Sequence, residues 1–432
     1  MEQYDYIDDL CKFLDSSPVN FLAVDTVRRR LDAEGFERLD PREAWEINRG
    51  GRYYVTKNDS AIFAFTVGDS DPEDGFRIIA AHSDSPGFRI KPDCEILCDG
   101  NIVKLNTEVY GGSILYTWFD RPLSIAGRVM LRGQDPLRPI SRLVRFDRPL
   151  LTIPHLAIHF NRSVNDGNPL SKQKDMLPVI GRVNAKGDEK GLVRRLVAEE
   201  LNVDPEIIID YDLSLFDTTP ACITGINGEF VTSGRIDDLS MVHAALTSLL
   251  EAGNDRGAIK VMAIFDNEET GSGTKQGAAS PVLRNILKRI CNSLGWTDEA
   301  FMISIASSFM ISADNAHAVH PNYVEKQDPT NHPTLGGGPV IKINANCKYM
   351  TDADSAAVFK NICDIAGIPC QYFVNHSDVA GGSTLGNILT AQLDLRGVDM
   401  GAGVWAMHSV RETASTADHI SIIKAFCTFY EI

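Results

Sequence analysis

The chain has 432 residues, more than a single hydrophobic core serves, and its 44% hydrophobic and 23% charged residues are ordinary for a soluble globular protein of two domains. A formal net charge of -16 argues against nucleic acid or an anionic membrane as partner, since both favour basic surfaces. Nine scattered cysteines, an odd number with no CxxC pair, suggest neither a disulfide framework nor a thiolate zinc site.

In chain order, the opening "MEQYDYIDDLCKFLDSS" is acidic and lacks the basic start and apolar run of a signal peptide. No apolar run reaches membrane-spanning length, so a cytoplasmic protein is expected. Ile7, Leu10, Cys11 and Leu14 recur at helical spacing, and "DTVRRRLDAEG" predicts a second helix with Gly35 at its end. "YYVTKN", "SAIFAFTV" and "FRIIAAH" then read as strands. From 93 to 231 the texture changes to short β-like pieces broken by proline and glycine, which predicts a β-rich inserted domain in which Cys94 and Cys98 are half-buried strand thiols. Beyond it, "DDLSMVHAALTSLLEAG" predicts a helix ending at Gly253, and "AIKVMAIF" a strand buried on both faces. "RNILKRICNSL", "SAAVFKNICDIAG" and "TADHISIIKAFCTFY" predict helices, alternating with strands "SSFMISAD" and "QYFVN". This alternation predicts an α/β fold with helices on both faces of the sheet.

Five short stretches put chemistry at strand ends or in adjoining loops, where open α/β sheets bind ligands. They are "AAHSDSPG" with His82 and Asp84, "SGRIDDLS" with Asp237, "FDNEETGS" with Glu268 and Glu269, "ISADNAHAVHPNY" with Asp314, and "WAMHSVRE" with His408. Two imidazoles with several carboxylates suit zinc, manganese or cobalt better than calcium. Singly, each has an ordinary explanation: His82 and Asp84 as a hydrogen-bonded pair, Asp237 as a first-turn helix acid, Asp314 as a turn residue, His408 as an interior histidine, the glutamates as a solvated turn. Jointly they are harder to dismiss, because each strand that reads as buried ends in a metal-competent residue. His317 and His320, just beyond Asp314, read as locally packed or hydrogen-bonded.

These residues bring the chain to a family. Along nearly its whole length it resembles the M18 metallo-aminopeptidases, close to the aspartyl aminopeptidases, in "AHSDSPG", "YGGSILYTWFDRPLSIAGRV", "IPHLAIHFNR", "GRIDDL", "DNEETGS", "SADNAHAVHPNY", "GPVIKIN" and "AMHSVRE". The resemblance implies a mixed sheet of the co-catalytic zinc peptidase type, with a discontinuous catalytic domain of residues 1–92 and 232–432 interrupted by a dimerisation domain of residues 93–231. It implies two divalent ions per subunit, Zn2+ first with Mn2+ or Co2+ as alternatives, bridged by Asp237. His82 and Asp314 complete one ion's ligands, and Glu269 and His408 the other's. Glu268 matches the general base, and Asp84 the carboxylate orienting His82. His159 matches a histidine that reaches into a neighbouring subunit of a tetrahedral homododecamer built from dimers.

The implied activity is hydrolysis of the first peptide bond of peptides with a free N-terminus, preferring Asp or Glu. Lys342 matches the lysine that meets the acidic side chain; from the residues alone, the favoured reading is an exposed lysine alternating outward on strand "VIKIN". The chain departs from the aspartyl pattern at "LGGGP", where a lysine commonly precedes "GP", and at "AGGSTLG", where "PCGTTIG" is common. A broader or apolar preference, and an idle scaffold or cargo-type assembly, are the competing readings; the scaffold predicts missing ligands. For the adjacent glutamates, "AIKVMAIF" is expected to end near Phe265, so that the following turn escapes strand alternation and presents Glu269 as ligand and Glu268 as base.

Overall fold

Four strands carry almost no exposed position: Ala61–Thr66, Phe76–His82, Ile259–Phe265 and Phe309–Ala313. Strands with no polar face need cover on both sides, and side-chain alternation divides them between two cores. Ile62, Ala64, Ile79, Ala81, Met262 and Ile264 join one core; Phe63, Phe65, Ile78, Ala80, Val261 and Ala263 join the other. Helices Gln3–Ser16, Asn20–Ala33, Ile236–Glu251, Ala353–Ala366 and Thr416–Glu431 close the first core, and Val282–Ser293, Asp298–Ala306 and Leu385–Leu389 the second. Fully buried anchors such as Phe13, Phe63, Phe265 and Phe426 each contribute about 1.5–3 kcal/mol by leaving water.

The computed structural model describes residues 3–253 and 257–432. They form two units: one of residues through Asp84, Ala221–Met407 and Glu412–Ile432, the other of Ser85–Pro220 with His408–Arg411. The main sheet of the first unit runs Glu37–Arg38, Arg52–Lys57, Ala61–Thr66, Ile259–Phe265, Phe76–His82, Phe309–Ala313, Arg396–Gly401, Val340–Ile343, Gln371–Val374. Its four strands from Ile259–Phe265 to Arg396–Gly401 are mutually parallel, with antiparallel steps to Ala61–Thr66 and Val340–Ile343. The sheet is therefore mixed. A smaller five-stranded sheet contains Cys222–Thr224, Phe230–Ser233 and Glu412–Ser415.

In the second unit, Gly87–Leu97, Ile102–Tyr110, Leu123–Leu131, Ile140–Arg145, Val179–Arg182 and Ile208–Asp217 make an antiparallel six-stranded sheet. Cys94 is fully buried in the first of these, deeper than the half-buried thiol expected. The helix Leu192–Leu201, in a stretch read as β-like, buries Val193, Val197 and Ala198 against this sheet's core.

The expected boundaries at 92/93 and 231/232 both lie later than the divisions after Asp84 and Pro220. Strand Gly87–Leu97 pairs with Ile102–Tyr110 and so belongs wholly to the second unit. Cys222–Thr224 pairs with Phe230–Ser233, which pairs with Glu412–Ser415 in the first. The helix expected to end at Gly253 stops at Glu251, with Ala252 already extended. Among the described residues no helix is long and apolar enough to cross a membrane.

Candidate metal centre

Parallel strands in register deliver their following loops to one edge. Phe265 pairs with His82, the Ser83 N–H donates to the Phe265 carbonyl at 2.8 Å, and Phe309–Ala313 runs alongside. His82, Asp84, the "DNEE" turn and Asp314 therefore emerge together at the carboxyl ends of three adjacent strands. Asp237 arrives from the start of helix Ile236–Glu251, which packs on two of those strands. Its N–H donates to Glu412 Oε2 at 2.9 Å, and its peptide bond to Asp238 is cis.

His82, Asp237, Asp238 and Asp314 each offer a ligand atom within 4.8 Å of the others, as do His82, Glu268 and Glu269. The His82 Nδ1–H donates to the Asp84 backbone carbonyl at 3.0 Å, with the Asp84 carboxylate 3.4 Å away. That tautomer leaves the Nε2 lone pair facing Asp237 Oδ1 at 3.7 Å and Asp238 Oδ2 at 4.0 Å. Both distances exceed a hydrogen bond, and the shorter is close to the ~3.4 Å that separates two tetrahedral ligands of one zinc ion.

The electrostatics call for a cation. Burial first, then Asp237, pushes Glu269 well above the carboxylate range; burial, with Asp314 and Asp237 added and His82 opposing, pushes Glu268 up to about 8. Asp238 is also held well above its ordinary value by burial, against the pull of His82. Burial alone would lower the His82 imidazole, but Asp238, Asp84 and Glu268 outweigh it and hold the ring well above its ordinary value. Asp238 is 0% exposed, and its Oδ1 has no hydrogen-bond partner among the described residues. Buried carboxylates in such number stay ionised only beside positive charge. This nitrogen-and-oxygen donor set fits zinc, and equally manganese or cobalt.

The turn resolves how two adjacent glutamates share a site. The strand ends at Phe265, Asn267 takes the left-handed conformation (φ 64°, ψ 27°), and Glu268–Thr270 forms one 3-10 turn. Asn267 Oδ1 accepts from the Thr274 hydroxyl and the Gln276 amide, each at 2.8 Å. The Asp84 carboxylate accepts the Glu268 N–H at 3.1 Å and the Glu269 N–H at 3.2 Å. Asp84 thus holds the glutamate turn as well as standing beside His82.

Lys342 is not the exposed lysine that strand alternation allowed. It is 4% exposed, donates to Asp314 Oδ1 at 3.1 Å and lies 5.7 Å from the Tyr349 ring. Burial lowers its pKa, but Asp314, Tyr349 and Asp399 outweigh that and hold it charged. His317 packs edge-on to Phe373, and His320 Nδ1 accepts the Asn322 N–H, local roles as expected. His408 and His159 belong to the second unit. There the His408 Nδ1–H donates to the Gly112 carbonyl at 3.2 Å, and His159 is exposed within the turn Ile158–Phe160. Asp238 and Glu412 do not stand out in the sequence, although "GRIDDL" and "SVRE" contain them; a second acid in a helix's first turn reads as an ordinary dipole partner.

The profile described as Aminopeptidase I zinc metalloprotease (M18) matches residues 13–430. Over 428 residues the chain is 50% identical to a protein of Clostridium novyi (strain NT) named "Probable M18 family aminopeptidase 2", covering 99% of each. Among solved structures, a chain of the cryo-EM structure of the Ape4 and Nbr1 complex matches with a TM-score of 0.95 and 37% identity, over 99% of this chain and 86% of that one. The S. cerevisiae mApe1 dodecamer matches in fold, with a TM-score of 0.85 and 24% identity over 99% of this chain and 96% of that one. The chain belongs to the M18 family of aminopeptidases, which are zinc metalloproteases.

Proposed function

We propose that this aminopeptidase removes N-terminal Asp or Glu from peptides, with two divalent ions per subunit, zinc foremost. Asp237 would bridge the ions, His82 and Asp314 would hold one, and Glu269 and His408 the other. The His408 tautomer supports its share, since an Nδ1–H given to a carbonyl leaves Nε2 as the lone-pair nitrogen. Bound ions would acidify a coordinated water and polarise the scissile carbonyl. Glu268 would accept the proton of the attacking water and give it to the departing amine, while Glu269 would serve as ligand. Asp84 keeps both in place through their amides.

The observation that carries the acidic preference is Lys342: a buried, charged ammonium bonded to Asp314. One of its three hydrogens goes to Asp314, leaving donors for a substrate carboxylate. Because the whole chain is strongly negative, this positive group acts only at short range. The second reading, a broad or neutral preference, is favoured by the same ion pair, because Asp314 already satisfies part of the lysine's charge. A panel of peptides differing only in the first residue decides between them, run with zinc content measured on the same sample. A preference for Asp and Glu that Lys342→Ala abolishes supports the first reading; equal turnover of Asp and Leu peptides by both proteins supports the second.

By the same family resemblance we propose a cytoplasmic homododecamer of tetrahedral arrangement, assembled from dimers through the inserted unit, with His159 reaching a neighbour's site. Exposed Leu156, Ile158 and Phe160 around His159 are consistent with a covered face in the assembly.

A further inference from the structure

Asp399, within strand Arg396–Gly401, is fully buried and has no role in the chemistry proposed above. Its two carboxylate oxygens reach different segments of the chain. Oδ1 accepts the Thr384 hydroxyl at 2.6 Å, and Oδ2 accepts the Met350 backbone N–H at 2.6 Å. The Asp399 N–H in turn donates to Thr351 Oγ1 at 2.8 Å. Gly386 is fitted to the same carboxylate: a Cβ there would lie 2.5 Å from Oδ2, so a larger residue would push the turn after Thr384 away.

The Met350 segment also carries Tyr349, the ring beside the Lys342 ammonium, and Lys342 donates to Asp314. Buried contacts therefore run from Asp399 through Met350 and Tyr349 to the lysine. A lysine side chain has four rotatable carbons and no preferred direction of its own, so its head sits where the walls around it dictate. Here the wall is a loop, and a loop keeps its shape only when its backbone groups are held. Short hydrogen bonds to a buried carboxylate are the strong kind.

We propose that Asp399 is a positioning residue for first-residue selectivity: by holding the Met350–Thr351 segment and Thr384 on one carboxylate, it sets where the Lys342 ammonium meets the substrate's side chain. This rests on the reading of Lys342 as the group that recognises an acidic first residue. Gly386 belongs to the same device, and the loop "AGGSTLG" acquires a reason for its last glycine.

The test uses the zinc-loaded assembly and two peptides alike except for N-terminal Asp or Leu. Thr384→Val breaks one of the two bonds and is expected to raise KM for the Asp peptide by about tenfold, the loss of one charge-assisted hydrogen bond. KM for the Leu peptide, kcat for both peptides and zinc per subunit stay within about twofold. Thr384→Ser restores the wild-type KM, and Asp399→Asn gives a larger loss in the same direction. If Asp399→Asn does not fold, the two Thr384 variants still decide. Equal KM changes for both peptides, or none, while Lys342→Ala abolishes the Asp preference, overturn the assignment of Asp399 alone. A Lys342→Ala enzyme that keeps the preference overturns the acidic reading, and this assignment with it.

Discussion

Glu268 and Glu269 are one bond apart in the sequence and differ in what surrounds them. Asn267 in the left-handed region ends the strand geometry, and the Asp84 carboxylate gathers the two following amides, so both side chains enter the site from a single 3-10 turn. In that setting Glu268→Gln changes only the ability to carry a proton. It is expected to cut turnover by about 10²–10⁴-fold with zinc content unchanged, read by steady-state kinetics alongside elemental analysis. Turnover near that of the wild type would remove Glu268 from the base role. The motif itself was legible in the sequence, as five acidic or imidazole-bearing stretches at strand ends. Asp238 was not: adjacent to Asp237 in a helix's first turn, it has an ordinary explanation until the fold shows its Oδ1 buried beside His82. The burial of Lys342 was not legible either, since the alternation of a short strand does not say whether its outer face is covered.

Among the elements, the first helix is fastened to the core by a polar chain that runs from half-buried Arg30 and Asp9 to the buried rings of His243 and His419. Arg30 donates to both oxygens of Asp9, at 2.7 and 2.9 Å; the His243 Nε2–H donates to Asp9 at 2.9 Å; and His243 Nδ1 lies 2.9 Å from His419 Nε2, which must then be the donor. This links helices Gln3–Ser16, Asn20–Ala33, Ile236–Glu251 and Thr416–Glu431, with Phe13 edge-on to His243. Burial holds both imidazoles below their ordinary value, His419 farthest, with His243 adding to the effect there and Asp9 opposing it at both. The unfolded chain protonates these rings below about pH 6.5, and the folded chain resists. Their contribution to stability is therefore full above that pH and declines below it, by up to about 1.4 kcal/mol per pH unit for each ring. Asp9 acts in a separate window: burial raises its carboxyl, but His243 and Arg30 outweigh that and hold it below the usual carboxylate range. Its stabilisation is lost only below about pH 4. His419→Gln keeps an N–H donor for His243 without a titrating ring. Urea midpoints at fixed protein concentration, taken from pH 7 to 5, should fall less steeply than those of the wild type; an identical slope would mean that His419 is not held neutral. Periodicity found these helices and missed three others, the single short turn of helix Leu385–Leu389 among them. Asp298–Ala306 escaped because exposed Met302 and Ile303 interrupt its Phe301–Ile305 face, and Leu192–Leu201 because it lies in a stretch of β-like texture.

At the scale of the whole molecule, the prediction concerns subunits acting on one another. If His159 serves a neighbour's site, His159→Ala and Glu268→Gln damage different halves of a shared centre. Each alone should be nearly inactive with its assembly mass unchanged by light scattering, whereas co-assembling the two should regain a measurable fraction of wild-type turnover, because some sites receive both intact residues. No recovery on co-assembly would place His159 outside the shared site. The sequence by itself determined the alternation of apolar strands and amphipathic helices, the β-rich insertion, and the residue types at the strand ends, because each depends on neighbours within a few positions. Only the tertiary structure decided that Lys342 is buried against Asp314, that Asp84 gathers the glutamate amides, that Asp399 joins two loops, and that His243 meets His419. These contacts join segments distant along the chain. Local periodicity carries no information about which distant segments meet, and burial sets the charge state of each group only once they have met.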